Sequence, residues 1–165
     1  MLILDRNLVP GGYIELADKC FPIMSDDGSL LPTSPLHQWS DFIIEGTAKV
    51  GRSIAAAVDF KKQLEEAGFI NVIETRYKWP TNTWPKDPKF KQLGKKPCKR
   101  CLSYMEWRLT GTGLWTHENL APALEGFSLA AFTRVLGWQK EEVETFLVQV
   151  RKDLKNPKIH AYLPM

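Results

Sequence analysis

Two junctions constrain this chain more than any other feature. In each, glycine ends a helical stretch and a β-rich run follows at once. Leu2, Ile3, Leu4 and Leu8 read as the last turns of an apolar helix. Val9-Pro10-Gly11-Gly12 stops it, because Pro breaks a helix and Gly tolerates positive φ. Tyr13-Ile14-Glu15-Leu16-Ala17 then predicts a short strand. The second junction is a helix over about residues 57–67, with Phe60, Leu64 and Ala67 on one stripe. Gly68 follows at the left-handed position, and an alternating strand runs from Phe69 to Tyr77. Helix, glycine and strand in close succession imply an α/β chain, here one with far more helix than strand.

The remaining punctuation fills in the order of elements. Ser25-Asp26-Asp27-Gly28 marks a loop over residues 18–33. Ser34-Pro35 opens a helix that carries Leu36, Trp39, Phe42 and Ile43 on one face and stops at Gly51. Three prolines make residues 79–88 a loop. Residues 86–115 begin with a strongly basic run, read as a solvated linker or, alternatively, a site for acidic partners. Thr116 is expected to cap a helical segment that ends near Gly137, with Pro122 splitting or kinking it. Val143, Phe146, Leu147, Val150 and Leu154 mark a final amphipathic helix over residues 140–154. Trp138 is expected to pack at the junction of the two helices. Residues 159–165 enter a strand and form only a stub. The whole is one domain over residues 1–165, with 116–155 as a helical cap.

Composition excludes several classes. With 44% hydrophobic and 25% charged residues, the chain is ordinary for a globular protein. A net charge of +3, with both signs mixed, gives no case for nucleic acid. No apolar run approaches the ~20 residues that span a membrane. The three cysteines form no disulfide pattern, so an intracellular setting, cytoplasmic or nuclear, is expected. Cys98-Lys99-Arg100-Cys101 supplies at most half of a zinc site and reads as a free dithiol. His37, His117 and His160 show no metal spacing, and no nucleophile-elbow pattern occurs, so no metal or catalytic residue is assigned.

The junction Leu8-Val9-Pro10-Gly11-Gly12-Tyr13-Ile14-Glu15-Leu16 resembles the turn before the fifth strand of class I S-adenosylmethionine-dependent methyltransferases. Leu64-Glu65-Glu66-Ala67-Gly68-Phe69 resembles the approach to the sixth. Narrower segments are similar to the fungal branch related to a global regulator of secondary metabolism. These are Trp79-Pro80-Thr81-Asn82-Thr83-Trp84-Pro85, the run from Leu124 to Trp138, and Ile159-His160-Ala161-Tyr162. Between Lys95 and Asn119 the resemblance is weakest.

The resemblance implies a helix-rich, partial Rossmann-like methyltransferase fold that lacks its N-terminal half. Relatives of full length would transfer methyl from S-adenosylmethionine to a small molecule or protein. Their cofactor sits at a Gly-rich turn, and no G-x-G-x-x-G occurs in this chain. The chain alone is therefore expected to bind the cofactor weakly or not at all. Glu15 and Asp18, at the carboxyl end of the first strand, would face the acceptor. The plainer reading of Glu15 is a strand-end carboxylate paired with Lys or Arg. Trp79 and Trp84 either line an acceptor pocket or cover the core edge. Two other readings stand beside this one: an incomplete gene model, and a non-catalytic interaction module. In the latter, apolar faces would bind a protein partner or a second copy.

Overall fold

The computed structural model describes residues 8–85 and the backbone from 112 to 165, with side chains from 120 onward. Cys98, Cys101 and the basic run that starts at residue 86 lie outside these residues. Four helices dominate. Helix α1 (Pro35–Lys49) starts as its sequence dictates: Ser34 Oγ accepts from the His37 N–H at 3.3 Å, with Pro35 in the first turn. It ends in a Schellman turn. Gly51, at φ +75°, donates to the Ala48 carbonyl and Arg52 to that of Thr47. A 3-10 turn (Ala56–Asp59) leads into the short helix α2 (Phe60–Glu66). That helix closes the same way, with Gly68 at φ +92° and Phe69 bonded back to Leu64.

Helix α3 (Thr112–Arg134) departs from expectation. It begins before Thr116, so Thr116 lies inside the helix and does not cap it. It also runs through Pro122 without a break. The part of the expected linker from residue 112 onward is therefore helical. Helix α4 (Lys140–Lys155) has a capping box in which the Gln139 N–H donates to Glu142 Oε2 at 2.8 Å. Its buried stripe is Val143, Leu147, Val150 and Leu154.

Helices α1, α3 and α4 pack against one another around one hydrophobic core. Phe42, Phe132, Trp138 and Phe146 interlock there, with ring centroids 5.1–6.2 Å apart. Trp138 is thus a packing residue at the α3–α4 junction. Two buried polar groups fix the layer. Trp39 Nε1 donates to Ser128 Oγ at 2.7 Å, and the Ile23 N–H donates to Ser40 Oγ at 3.0 Å. The Leu36 N–H at the start of α1 reaches Asp153 of α4.

The sheet is smaller than the sequence predicts. Strand β1 (Lys78–Pro80) pairs antiparallel with β2 (Tyr162–Pro164), in the register Trp79 opposite Leu163. Residues 13–17 and the expected strand up to Tyr77 form no ladder, although burial still alternates over 13–17. A ladder needs regular pairing along several successive residues, and in the second run backbone pairing starts only at Tyr77. Pairing begins only where β2 supplies it. β2 also lies beside residues 20–24 through a Met24–Tyr162 bridge and a Cys20-to-Pro164 hydrogen bond of 2.7 Å. The stub at the end of the chain therefore sits between β1 and residues 20–24, which follow the two runs expected as strands and do not coincide with them. Met165 and Tyr77 exchange a last pair of backbone bonds. The chain is a mixed helical and β structure, helix predominating.

Candidate functional site

Three loops meet at one edge of this sheet: residues 25–29, the turn after β1, and the approach to β2. Side-chain-to-backbone bonds bring them together. Buried Asn82 donates through Nδ2 to the carbonyls of Asn156 and Ile159, and Thr81 Oγ1 donates to that of Ala161. Asn82 Oδ1 in turn accepts from the Trp84 N–H at 2.9 Å. Trp84 is held at its other end by Nε1, which donates to the Ala161 carbonyl at 3.0 Å. Its ring lies 5.0 Å from that of His160, inclined by 30°.

Ionisable groups line this edge. His160 Nδ1 lies 2.5 Å from Asp27 Oδ2, and the His160 backbone N–H donates to Ser29 Oγ at 2.8 Å. Hydrogen bonds from the Ser25 and Ser29 hydroxyls, and then from the Ser29 N–H, hold the Asp27 carboxyl far below the usual carboxylate range. Beside it, Asp26 accepts from Lys78 Nζ at 2.5 Å and from the Tyr162 hydroxyl at 2.7 Å. Those two bonds, Lys78 first, lower the Asp26 pKa. Burial, and then the hydrogen bond to Asp26, raise that of Tyr162. Lys78 Nζ also stands over the Tyr162 ring, 5.1 Å from its centroid.

The four residues singled out by sequence fall into two places. Glu15 and Asp18 line an open cleft of about 1120 Å³ between residues 8–18 and 69–77. Both are exposed, and Asp18 Oδ1 accepts from the Lys19 N–H. Trp79 and Trp84 do not line that cleft. Trp79 packs on the core and carries Lys19 Nζ 5.3 Å from its ring centroid, while Trp84 stacks on His160. Sequence reasoning missed Asp26, Asp27, Lys78, His160 and Tyr162. The signals were the Ser25-Asp26-Asp27-Gly28 turn, which marks a loop and not its partner, and the resemblance over Ile159-His160-Ala161-Tyr162, which assigned those residues no role. Cys20 is half-buried, and loss of solvation raises its thiol pKa. Among the described residues no cluster of three His, Cys, Asp or Glu side chains suits a metal ion, and no helix is long and apolar enough to cross a membrane.

The probable methyltransferase tdiE of Emericella nidulans is 35% identical over 159 residues, covering 96% of this chain and 44% of tdiE. The secondary metabolism regulator LAE1 of Cochliobolus heterostrophus is 33% identical over 94% of this chain and 45% of its own length. The chain is methyltransferase-like, similar to the fungal secondary-metabolism branch. A further relative of this methyltransferase-like chain is the protein-methionine methyltransferase laeA of Emericella nidulans, 28% identical over 94% of the chain and 37% of laeA. The chain thus spans less than half the length of these relatives. No family profile matches it, and no solved structure matches it.

The methyltransferase names of the relatives imply use of S-adenosylmethionine by proteins of their full length. Among the described residues no strand turns through glycines into a helix, the arrangement that brings backbone N–H groups close to such a ligand.

Proposed function

We propose that this chain forms the acceptor-side part of a Rossmann-like methyltransferase architecture. The position of β2 carries the reading. It runs antiparallel between β1 and residues 20–24, so the loops that follow both neighbours emerge on one edge with His160 between them. Open α/β sheets bind ligands outside the carboxyl ends of their strands. Trp84 stands at this edge, whereas Glu15 and Asp18 line the separate cleft at the other end of β2, beside Pro164 and Met165. The acceptor class follows the relatives: a small molecule, or a protein, as the name of laeA indicates for that protein. An intracellular compartment belongs to the same reading.

The test has two arms. Calorimetric titration of this chain with S-adenosylhomocysteine is expected to show no micromolar binding. A chimaera in which this chain replaces the matched 44% of tdiE is expected to bind the same ligand. Micromolar binding by the chain alone would sink the reading, as would a folded chimaera that fails to bind.

A second reading, a non-catalytic interaction module, draws on one observation. Tyr13, Ile70 and Ile73 flank the cleft with exposures of 95%, 85% and 87%. Apolar side chains grouped this way favour a protein partner or a second copy. Size-exclusion chromatography with light scattering separates the two readings.

A further inference from the structure

We propose that Asp27 and His160 form a proton-accepting dyad, flanked by Trp84, that binds and ionises a phenol-class hydroxyl. The inference rests on the acceptor-side reading of this edge and deepens it by naming the substrate class. Asp27 is itself fixed: its carboxylate accepts from the Ser25 hydroxyl at 2.7 Å and from the Ser29 N–H at 3.0 Å. A carboxylate so held stays ionised and directs the proton of neutral imidazole to Nδ1, which it contacts. That tautomer leaves a lone pair on Nε2, which has no hydrogen-bond partner among the described residues. The His160 side chain is 40% exposed, so an incoming group can reach it.

The chemistry selects the class. The acceptor O–H bond breaks, its electron pair stays on oxygen, and the proton passes to Nε2. The resulting imidazolium is stabilised by the ionised Asp27 beside it. A phenol gives up its proton to an imidazole far more readily than an aliphatic alcohol does, because the alcohol is several units less acidic. A thioether has no proton to give. The indole of Trp84, stacked against the imidazole, adds a flat apolar wall suited to an aromatic ring. Lys78 and Asp26 stand in the neighbouring network but are already bonded to each other and to Tyr162.

A purely structural role, pinning residues 25–29 to the sheet, is separable from this one. The backbone bond from His160 to Ser29 survives any change of side chain. 4-Nitrophenol is the probe, and its ionisation is followed by absorbance across pH with excess protein. The wild-type chain is expected to lower its apparent ionisation midpoint by about one unit, a tenfold shift. His160→Gln and Asp27→Asn, each checked by circular dichroism, are expected to abolish the shift. No shift with the wild type, or the same shift with folded His160→Gln, overturns the dyad. Equal competition by N-acetylmethionine methyl ester overturns the phenol assignment. The chimaera reports separately on cofactor binding. Cofactor binding there with no phenol shift here overturns the dyad alone. A phenol shift with a cofactor-blind chimaera supports the dyad and removes the methyltransferase reading.

Discussion

Gly46 of α1 meets Ala131 of α3 so closely that a Cβ on Gly46 would stand 3.1 Å from the Ala131 Cβ. The two helices touch here nearly backbone to backbone, and the side chains of Ile43 and Phe132 close the core on either side. Gly46→Leu forces extra carbons into this seam. Overpacking of this kind costs on the order of 1–3 kcal/mol. Urea unfolding should show a lower midpoint, and an unchanged midpoint would mean that α1 and α3 can separate freely.

The bond between Trp39 and Ser128 gives a second test. Ser128→Ala leaves the buried indole N–H without an acceptor, which costs about 1–3 kcal/mol. Adding Trp39→Phe removes the stranded donor along with its partner. In a double-mutant cycle measured by thermal unfolding, the double variant should be less destabilised than the sum of the two single variants by more than about 0.5 kcal/mol. Simple additivity would show that the indole finds another partner.

Acid should act through Asp26 and Asp27. Both have folded pKa values depressed below the ordinary value near 4 by the hydrogen bonds they accept. A depressed carboxyl favours the folded state above its unfolded pKa, and that contribution fades as pH falls towards its folded value. Stability should therefore decline below about pH 4. Asp27→Asn should lower stability at pH 7 to 8, where the depressed carboxyl contributes in full, and flatten this acid limb so that the two proteins converge at low pH. Urea midpoints at several pH values measure it, and parallel acid limbs in the two proteins would contradict the assignment.

The exposed rim of the cleft predicts association. If Ile70 and Ile73 form a contact surface, Ile70→Asp with Ile73→Asp should shift the protein towards monomer in light scattering. The pair is far from the α1–α3–α4 core, so the melting temperature of the monomer should barely move. An identical mass distribution for both proteins would exclude this rim as the contact.

Local chemistry made much of the fold legible. Ser34-Pro35, Gly51 and Gly68 dictate their turns through their own backbones, and the stripe from Val143 to Leu154 needs only a helical period. What failed to show was whatever depends on a distant neighbour. Residues 13–17 have strand-forming side chains, yet a ladder requires a second chain segment alongside. Pro122 signals a break, but packing of Leu120 and Leu124 against the core holds the helix together across it. At the site, sequence found Trp84 through the resemblance. It could not place His160 against Asp27, because the two are 133 positions apart and neither carries a motif.

The position of β2 also sets an order of events in time. Tyr162 bridges to Met24 and pairs with Pro80, and its hydroxyl reaches Asp26 across 136 positions. Contacts of such sequence separation form slowly, since the intervening chain must first be confined. On a translating ribosome the helices α1, α3 and α4 can find one another as soon as Lys155 has left the exit tunnel. The sheet edge cannot exist until the next ten residues follow. Until that moment residues 20–24 and 78–80 have no common partner, and the proposed dyad has no histidine. Assembly of the site thus waits on residues 159–164, and because Ile159, Ala161 and Leu163 also belong to the core, a nascent chain paused just short of Ile159 would lack the edge and part of the core together.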